Sequence, residues 1–305
     1  MADIRLFSLS NGVKELPSTS MGLEKELQTI IEQNMVAFFG VTFLKSEYTI
    51  TNGRIDSLGL DENYCPVIFE YKRSTNENVI NQGLFYLDWL LDHKADFKLL
   101  VMEELGKNVA DEIDWSMPCV ICIANDFTKY DEHAVNQMQR NIKLVRYKKF
   151  GKDMILFEHI NAPNVKPLVD TDTTAPTAKR NSGVTKTFAQ QFESAEKPIQ
   201  NTYLSIRDYI MSLGDDMTEN QLKYYVAFKK IRNIACVEVY QSKIIIHLAI
   251  DPKTIDIQKD FTRDMSKTGH FGTGDLQVTV KEMVDFERAK PLIDRAYYLN
   301  STFLV

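Results

Sequence analysis

Apolar positions along this chain recur at two periods, and the switches between them predict its elements. Between Ser20 and Met35, Leu23, Leu27, Ile30 and Ile31 fall at helical spacing, which predicts an amphipathic helix. Strands are expected at about 41–50, 53–60 and 66–72, the last two flanking "DENYC" as a hairpin. A long helix follows over "NENVINQGLFYLDWLLDHKADF", its start marked by Ser74 and Glu77 in the S-x-x-E capping-box pattern. Further strands are expected at "KLLVME", "PCVICIAN", "IKLVRYKK" and "DMILFEHI", with a helix around 131–139. This alternation of helices and strands is the order of a layered α/β domain.

From about Ala162 to Gln200 the periodicity stops and Thr, Ala, Pro, Lys and Ser dominate. That composition predicts a linker over 163–198 between a domain at 1–162 and another at 199–305. The second domain reads as a smaller α+β module. It has two helices ("TYLSIRDYIMSLG" and "NQLKYYVAFKKI"), a strand pair ("ACVEVYQ" and "KIIIHLAI"), a strand at "LQVTVKE" and a terminal helix around "FERAKPLIDRAYYLN". The stretch "TGHFGTGDL" lacks the G-K-[ST] ending of a phosphate loop and is expected to be a connection.

Composition narrows the function classes. With 305 residues, 44% hydrophobic and 26% charged, the chain is an ordinary globular protein. No apolar run approaches a membrane span, and the N-terminal stretch has no apolar core of signal-peptide type, so a cytoplasmic protein without membrane contact is expected. Its four cysteines fit a reducing compartment. Cys119 and Cys122 form a C-x-x-C, yet on a strand they point to opposite faces and are expected to be core thiols. Net charge is −6, with 17 Lys and Arg against 24 Asp and Glu in residues 1–160. A protein that merely coats nucleic acid is basic, so any such contact here must be local. One basic cluster exists, Lys143, Arg146, Lys148, Lys149 and Lys152, and it reads equally well as a solvated strand face.

Three charges interrupt the apolar strands: Asp56, Glu70 and Lys72. A turn centred on Asn63 sets Asp56 opposite Glu70, each seven residues away. Directly opposed residues have Cβ atoms about 4.5–5.5 Å apart. Two carboxylates that close repel unless a proton or a cation lies between them. Glu70 and Lys72, two apart, share a face. A hard divalent ion, Mg²⁺ or Mn²⁺, suits such a pair, with Asp56, Glu70 and the Tyr71 carbonyl as ligands and substrate phosphate completing the shell. Lys72 then orients the attacking water and offsets charge on phosphorus. Glu24 on the first helix, and Gln82 and Tyr86 one turn apart on the long helix, are candidates to complete the site. The alternative is a structural ion-pair cluster with no chemistry: Glu24 and Glu26 as exposed first-turn acids, Gln82 and Tyr86 as satisfied polar groups.

Taken together, "GRID…VIFEYKR" followed by "NQGLFYLDWL" resembles the PD-(D/E)XK nuclease superfamily, most of all its NucS-type endonucleases. The likeness spans roughly residues 20–160 through Gly53, Arg54, Ile55 and Asp56, then Glu70 and Lys72, then Gln82 and Tyr86. It implies a restriction-endonuclease-like fold, a central mixed sheet flanked by helices. It also implies Asp56 and Glu70 as metal ligands and Lys72 as the residue assisting water. A Glu of the first helix commonly joins them, and Glu24 is favoured over Glu26. Gln82 completes the catalytic set, and Arg54, Arg73 and Tyr86 are the expected substrate contacts. The implied activity is Mg²⁺-dependent endonucleolytic cleavage of DNA. A homodimer is compatible with this reading, without any dimer signature in the sequence. The second domain resembles a module of unknown function found fused to such nuclease-like domains. The competing expectation is a non-enzymatic binding or scaffold protein on the same fold.

Overall fold

The structure is a computed structural model that describes residues 4–9, 12–20, 22–72, 79–161, 186–214 and 217–301. Its described residues fall into two compact units. The first takes those up to Asp61, Pro66–Ile113 and those from Pro118 to Asn161; the second takes Glu62–Cys65, Asp114–Met117 and those from Lys186 on.

In chain order the first unit holds β1 (Leu6–Ser8), β2 (Lys14–Leu16), β3 (Ser18–Thr19), α1 (Glu24–Gln33), α2 (Met35–Phe39), β4 (Val41–Ile50), β5 (Gly53–Asp61), β6 (Pro66–Lys72), α3 (Val79–Asp92), α4 (Lys94–Leu105), α5 (Lys107–Asp111), β7 (Cys119–Ala124), α6 (Lys129–Gln137), β8 (Ile142–Phe150) and β9 (Met154–His159). Apart from the β1–β2 hairpin, the strands form one mixed sheet in the order β3-β8-β7-β6-β5-β4, with β9 on β8. β6, β7 and β8 run parallel, and β4, β5 and β6 antiparallel. The pleat sorts side chains to the two faces. Phe69, Tyr71, Ile121, Ile123 and Tyr147 pack with Leu27, Ile31, Met35 and Phe39 of α1 and α2. Glu70, Lys72 and Val120, on alternate positions, belong to the opposite face, which α3 covers.

Gly83 sets how closely α3 lies on that face. A Cβ at Gly83 would fall 2.6 Å from Cγ1 of Val120, too near for any real contact. Gly83→Val is therefore expected to lift α3, destabilising the protein by about 2–3 kcal/mol through overpacking. Denaturant unfolding tests it, and wild-type stability in the variant would overturn it.

The second unit holds α7 (Phe188–Ser194), α8 (Lys197–Met211), β10 (Thr218–Gln221), β11 (Val226–Lys229), β12 (Asn233–Val239), β13 (Ile244–Leu248), β14 (Thr262–Asp264), β15 (Leu276–Val280) and α9 (Met283–Ser301). Its sheet is antiparallel throughout, in the order β10-β11-β12-β13-β15-β14. One face packs against the three helices through Ile199, Ile206, Val237, Ile246, Val278, Phe286 and Ile293.

Several expectations are corrected. "KLLVME" is not a strand but part of α4, which buries Phe97, Leu100 and Val101 at i, i+3 and i+4. A short apolar run does not by itself separate strand from helix. "NQLKYYVAFKKI" is not a helix but the β10–β11 hairpin. Its β-branched and aromatic residues favour strand, and all four residues of β11 are buried. Helix α7 lies inside the stretch read as linker, its start capped by a reciprocal Thr187–Gln190 box. The turn residue Asn63 belongs to the second unit, where its Oδ1 accepts from Tyr225 Oη at 2.9 Å and Asn233 Nδ2 at 2.7 Å. The Ser74–Glu77 capping box, Arg73 and most of the 163–198 stretch lie outside the described residues. "TGHFGTGDL" leads into strand β15 rather than a helix, as expected of a connection.

Candidate active site

The β5–β6 ladder pairs Leu60 with Pro66, Gly59 with Val67, Leu58 with Ile68 and Ser57 with Phe69. Every pair is equidistant from Asn63, the register expected from sequence, and the next pair outward is Asp56 and Glu70. There the carboxyl groups enter the ladder themselves. The Tyr71 N–H donates to Asp56 Oδ2 at 3.0 Å, and the Asp56 N–H donates to Glu70 Oε1 at 3.3 Å.

Glu70 is wholly buried, Asp56 and Lys72 half-buried. Burial, reinforced by the charge of Asp56, pushes the Glu70 carboxyl up to about 9. Burial also raises Asp56, against the opposing pull of the Tyr71 N–H and Lys72. Both shifts favour a proton on the pair, as expected when like charges meet out of water.

Glu70 Oε2 is buried without a hydrogen-bond partner. A closed ion-pair cluster would satisfy that atom, because leaving a buried acceptor unpaired costs about 1–3 kcal/mol. Among the described residues no group of three or more His, Cys, Asp or Glu is arranged to hold a metal ion. A pair is what Mg²⁺ requires of protein, since it keeps several waters and draws other ligands from phosphate. The orphaned oxygen and the two raised carboxyls fit a divalent ion, which would supply the missing partner and the missing positive charge.

Behind Asp56 stands a network that sequence reasoning missed. Gln28 of α1, buried, donates through Nε2 to the Asp56 carbonyl at 2.8 Å and to Glu32 Oε1 at 2.9 Å. Glu32 Oε1 also accepts from the Ser57 hydroxyl at 2.6 Å, and Ser57 Oγ accepts from Tyr71 Oη at 3.1 Å. Burial raises the Tyr71 phenol, so it remains a donor. Glu24, the expected contribution of α1, opens the helix half-buried, and Gln28, one turn further on, bonds to the Asp56 backbone carbonyl. The signal was present in the i, i+4 stripe Glu24, Gln28, Glu32 beside Leu27 and Ile31. Glu26 is exposed and pairs with Lys149.

Gln82 and Tyr86 meet each other: Gln82 Nε2 donates to Tyr86 Oη at 2.8 Å, and that oxygen accepts from the Arg54 N–H at 3.4 Å. Tyr86 is 5% exposed and packs on Gly53, where a Cβ would fall 2.7 Å from its ring. The two residues therefore brace the start of β5. The Arg54 side chain is exposed and pairs with Glu47.

Cys119 and Cys122 are buried thiols on opposite faces, Cys119 in the α1 core and Cys122 with its thiol at the Val79 carbonyl. Arg146, from the basic cluster, is buried between Asp126 at 2.9 Å and Glu158 at 2.7 Å. No helix among the described residues is long and apolar enough to cross a membrane.

A relative from Haemophilus influenzae (strain ATCC 51907 / DSM 11121 / KW20 / Rd), an uncharacterized protein, is 32% identical over 305 residues, covering 96% of this chain and 99% of its own. The model of a domain of unknown function, DUF5655, matches residues 188–300. A repair endonuclease from Pyrococcus abyssi overlaps 43% of this chain and 50% of its own at 19% identity and a TM-score of 0.28. EndoMS bound to double-stranded DNA overlaps 42% and 46% at 21% identity and 0.26. This chain spans about half the length of those structures. TM-scores of this size do not carry a fold assignment.

Proposed function

We infer that this chain, which belongs to one family with the Haemophilus influenzae protein, is a metal-dependent nuclease that hydrolyses phosphodiester bonds in DNA at Asp56, Glu70 and Lys72. One observation carries the reading: a fully buried carboxyl with an unpartnered oxygen, set beside a second acid across a hairpin. The resemblance of the strand and helix motifs to PD-(D/E)XK nucleases supplies the fold name and the substrate class.

Asp56, Glu70 and the Tyr71 carbonyl would hold the ion. When bound, Mg²⁺ or Mn²⁺ supplies a water of lowered pKa and polarises the phosphoryl group. The protein's own part is to hold both carboxylates in one ladder, with Asp56 fixed from behind by Gln28 and in front by the Tyr71 N–H. Lys72, on the face of Glu70 two residues on, orients the water and offsets charge at phosphorus. Gln82 and Tyr86 hold the β5 backbone at Arg54, so that Arg54 can meet substrate phosphate.

Calorimetric titration of Mn²⁺ into the wild type tests the reading, with cleavage of labelled single-stranded and duplex DNA followed on the same sample. Binding is expected to release a proton, so affinity should rise between pH 6 and about 9 as the Glu70 proton becomes easier to displace. A wild type that binds no divalent ion would leave the trio as a structural cluster.

A further inference from the structure

Beside the acid pair, two exposed cations are held by an anion of the chain's own. Glu47 of β4 lies across the ladder from Asp56, between the Ser46–Ser57 and Tyr48–Ile55 pairs. Its Oε1 accepts from Lys25 Nζ at 3.0 Å and its Oε2 pairs with Arg54 Nε at 2.5 Å. The two cations are mostly in water, with 60% and 62% of their side chains exposed, against 28% for Glu47. Lys25 Nζ also donates to Gln28 Oε1 at 3.2 Å, and Gln28 in turn donates to the Asp56 carbonyl. The cluster is thus tied to the backbone of a proposed metal ligand.

A carboxylate between a lysine and an arginine offers them what a phosphodiester would. Both present two oxygens and one negative charge, and both are recognised by Arg forks and Lys point charges. Against its partial burial, the hydrogen bond from Lys25 and the charges of Lys25 and Arg54 hold the Glu47 carboxyl below the usual carboxylate range. We propose that Lys25 and Arg54 form a phosphate subsite for the DNA strand running past the acid pair, with Glu47 as the internal anion that a backbone phosphate displaces. The proposal rests on the nuclease reading of the neighbouring acids. It also accounts for a nucleic-acid contact on an acidic domain: the cations are local, and the internal anion screens them until a phosphate arrives.

The test is fluorescence anisotropy of labelled single-stranded and duplex DNA on the full chain between 50 and 200 mM salt, in chelator. Wild type is compared with Glu47→Gln, Glu47→Asp, Lys25→Gln and Arg54→Gln, with Mn²⁺ titrations in parallel. Glu47→Gln is expected to bind DNA about 10-fold tighter with a log–log salt slope steeper by about 1, because released cations neutralise further phosphate. Lys25→Gln and Arg54→Gln should weaken binding by about 3- to 10-fold with a shallower slope. Glu47→Asp, which keeps the charge, should follow the wild type, and Mn²⁺ affinity should stay within about twofold throughout. Unchanged or weaker DNA binding by a folded Glu47→Gln overturns the subsite, as does loss of its Mn²⁺ binding, which would make Glu47 a metal ligand. DNA binding absent from every variant while Mn²⁺ still binds also overturns the subsite and spares the acid pair. No Mn²⁺ binding in the wild type, with Glu47→Gln still tightening on DNA, sinks the acid-pair reading and leaves the subsite standing.

Discussion

Glu70→Gln is expected to abolish metal-dependent DNA cleavage, lowering the rate at least about 10³-fold, and to abolish Mn²⁺ binding with it. Gln matches Glu in shape, so the wholly buried site keeps its packing. What changes is the donor set, because an amide brings no charge to a divalent ion that Glu70 and Asp56 would hold. Lys72→Met should part company with it. Cleavage should fall about 10²- to 10⁴-fold, the range for a group acting on the transferred proton or the charged transition state. Mn²⁺ affinity should hold or improve, because the substitution removes a cation beside the ion. The two variants therefore separate holding the metal from using it. A Lys72→Met enzyme cutting at the wild-type rate, or a Glu70→Gln protein binding Mn²⁺ as the wild type does, would end this assignment.

In chelator, the same Glu70→Gln change is expected to stabilise the protein. Folding raises the Glu70 carboxyl from its ordinary 4.5 to about 9. The folded state therefore keeps a proton that the unfolded chain releases. Where the folded state binds more protons, stability falls as pH rises. The loss should begin near pH 4.5 and level off above about 9. Asp56, also raised, adds to it in the same direction. One pKa unit is about 1.4 kcal/mol. Even a third of the Glu70 displacement makes about 2 kcal/mol at pH 8, or roughly 4–8 °C in Tm for a domain of this size. Glu70→Gln should lack that slope, lying above the wild type at pH 8 and meeting it below pH 4.5. Excess Mn²⁺ should reverse the order, stabilising the wild type alone by mass action. Thermal unfolding at half-unit pH steps decides it. Parallel curves for the two proteins would mean that Glu70 is not held neutral.

These expectations draw on two kinds of information. The trio was legible from spacing alone. Hairpin geometry makes residues equidistant from a turn face each other, so Asn63 as the centre put Asp56 against Glu70. Strand alternation put Lys72 with Glu70 and parted Cys119 from Cys122. The apolar stripe of α1 and the runs of β4, β5, β7 and β8 were equally legible, because their length and alternation exclude other elements. Local pattern failed where a short apolar run admits two conformations. Tertiary packing made Leu99–Met102 helical and Val226–Lys229 extended.

At the site, only the tertiary structure decided that Gln28 reaches the Asp56 carbonyl, because that depends on how α1 seats on the sheet. Only β4 pairing brought Glu47 across from Asp56, between Lys25 and Arg54. And only the cover over β6 determined that Glu70 is wholly buried, its carboxyl pushed up by that burial. Sequence dictates which residues share a face or a ladder pair, since that follows from bond geometry. Desolvation depends on whatever packs over the residue from elsewhere in the chain, and it is desolvation that raises both carboxyls of this pair.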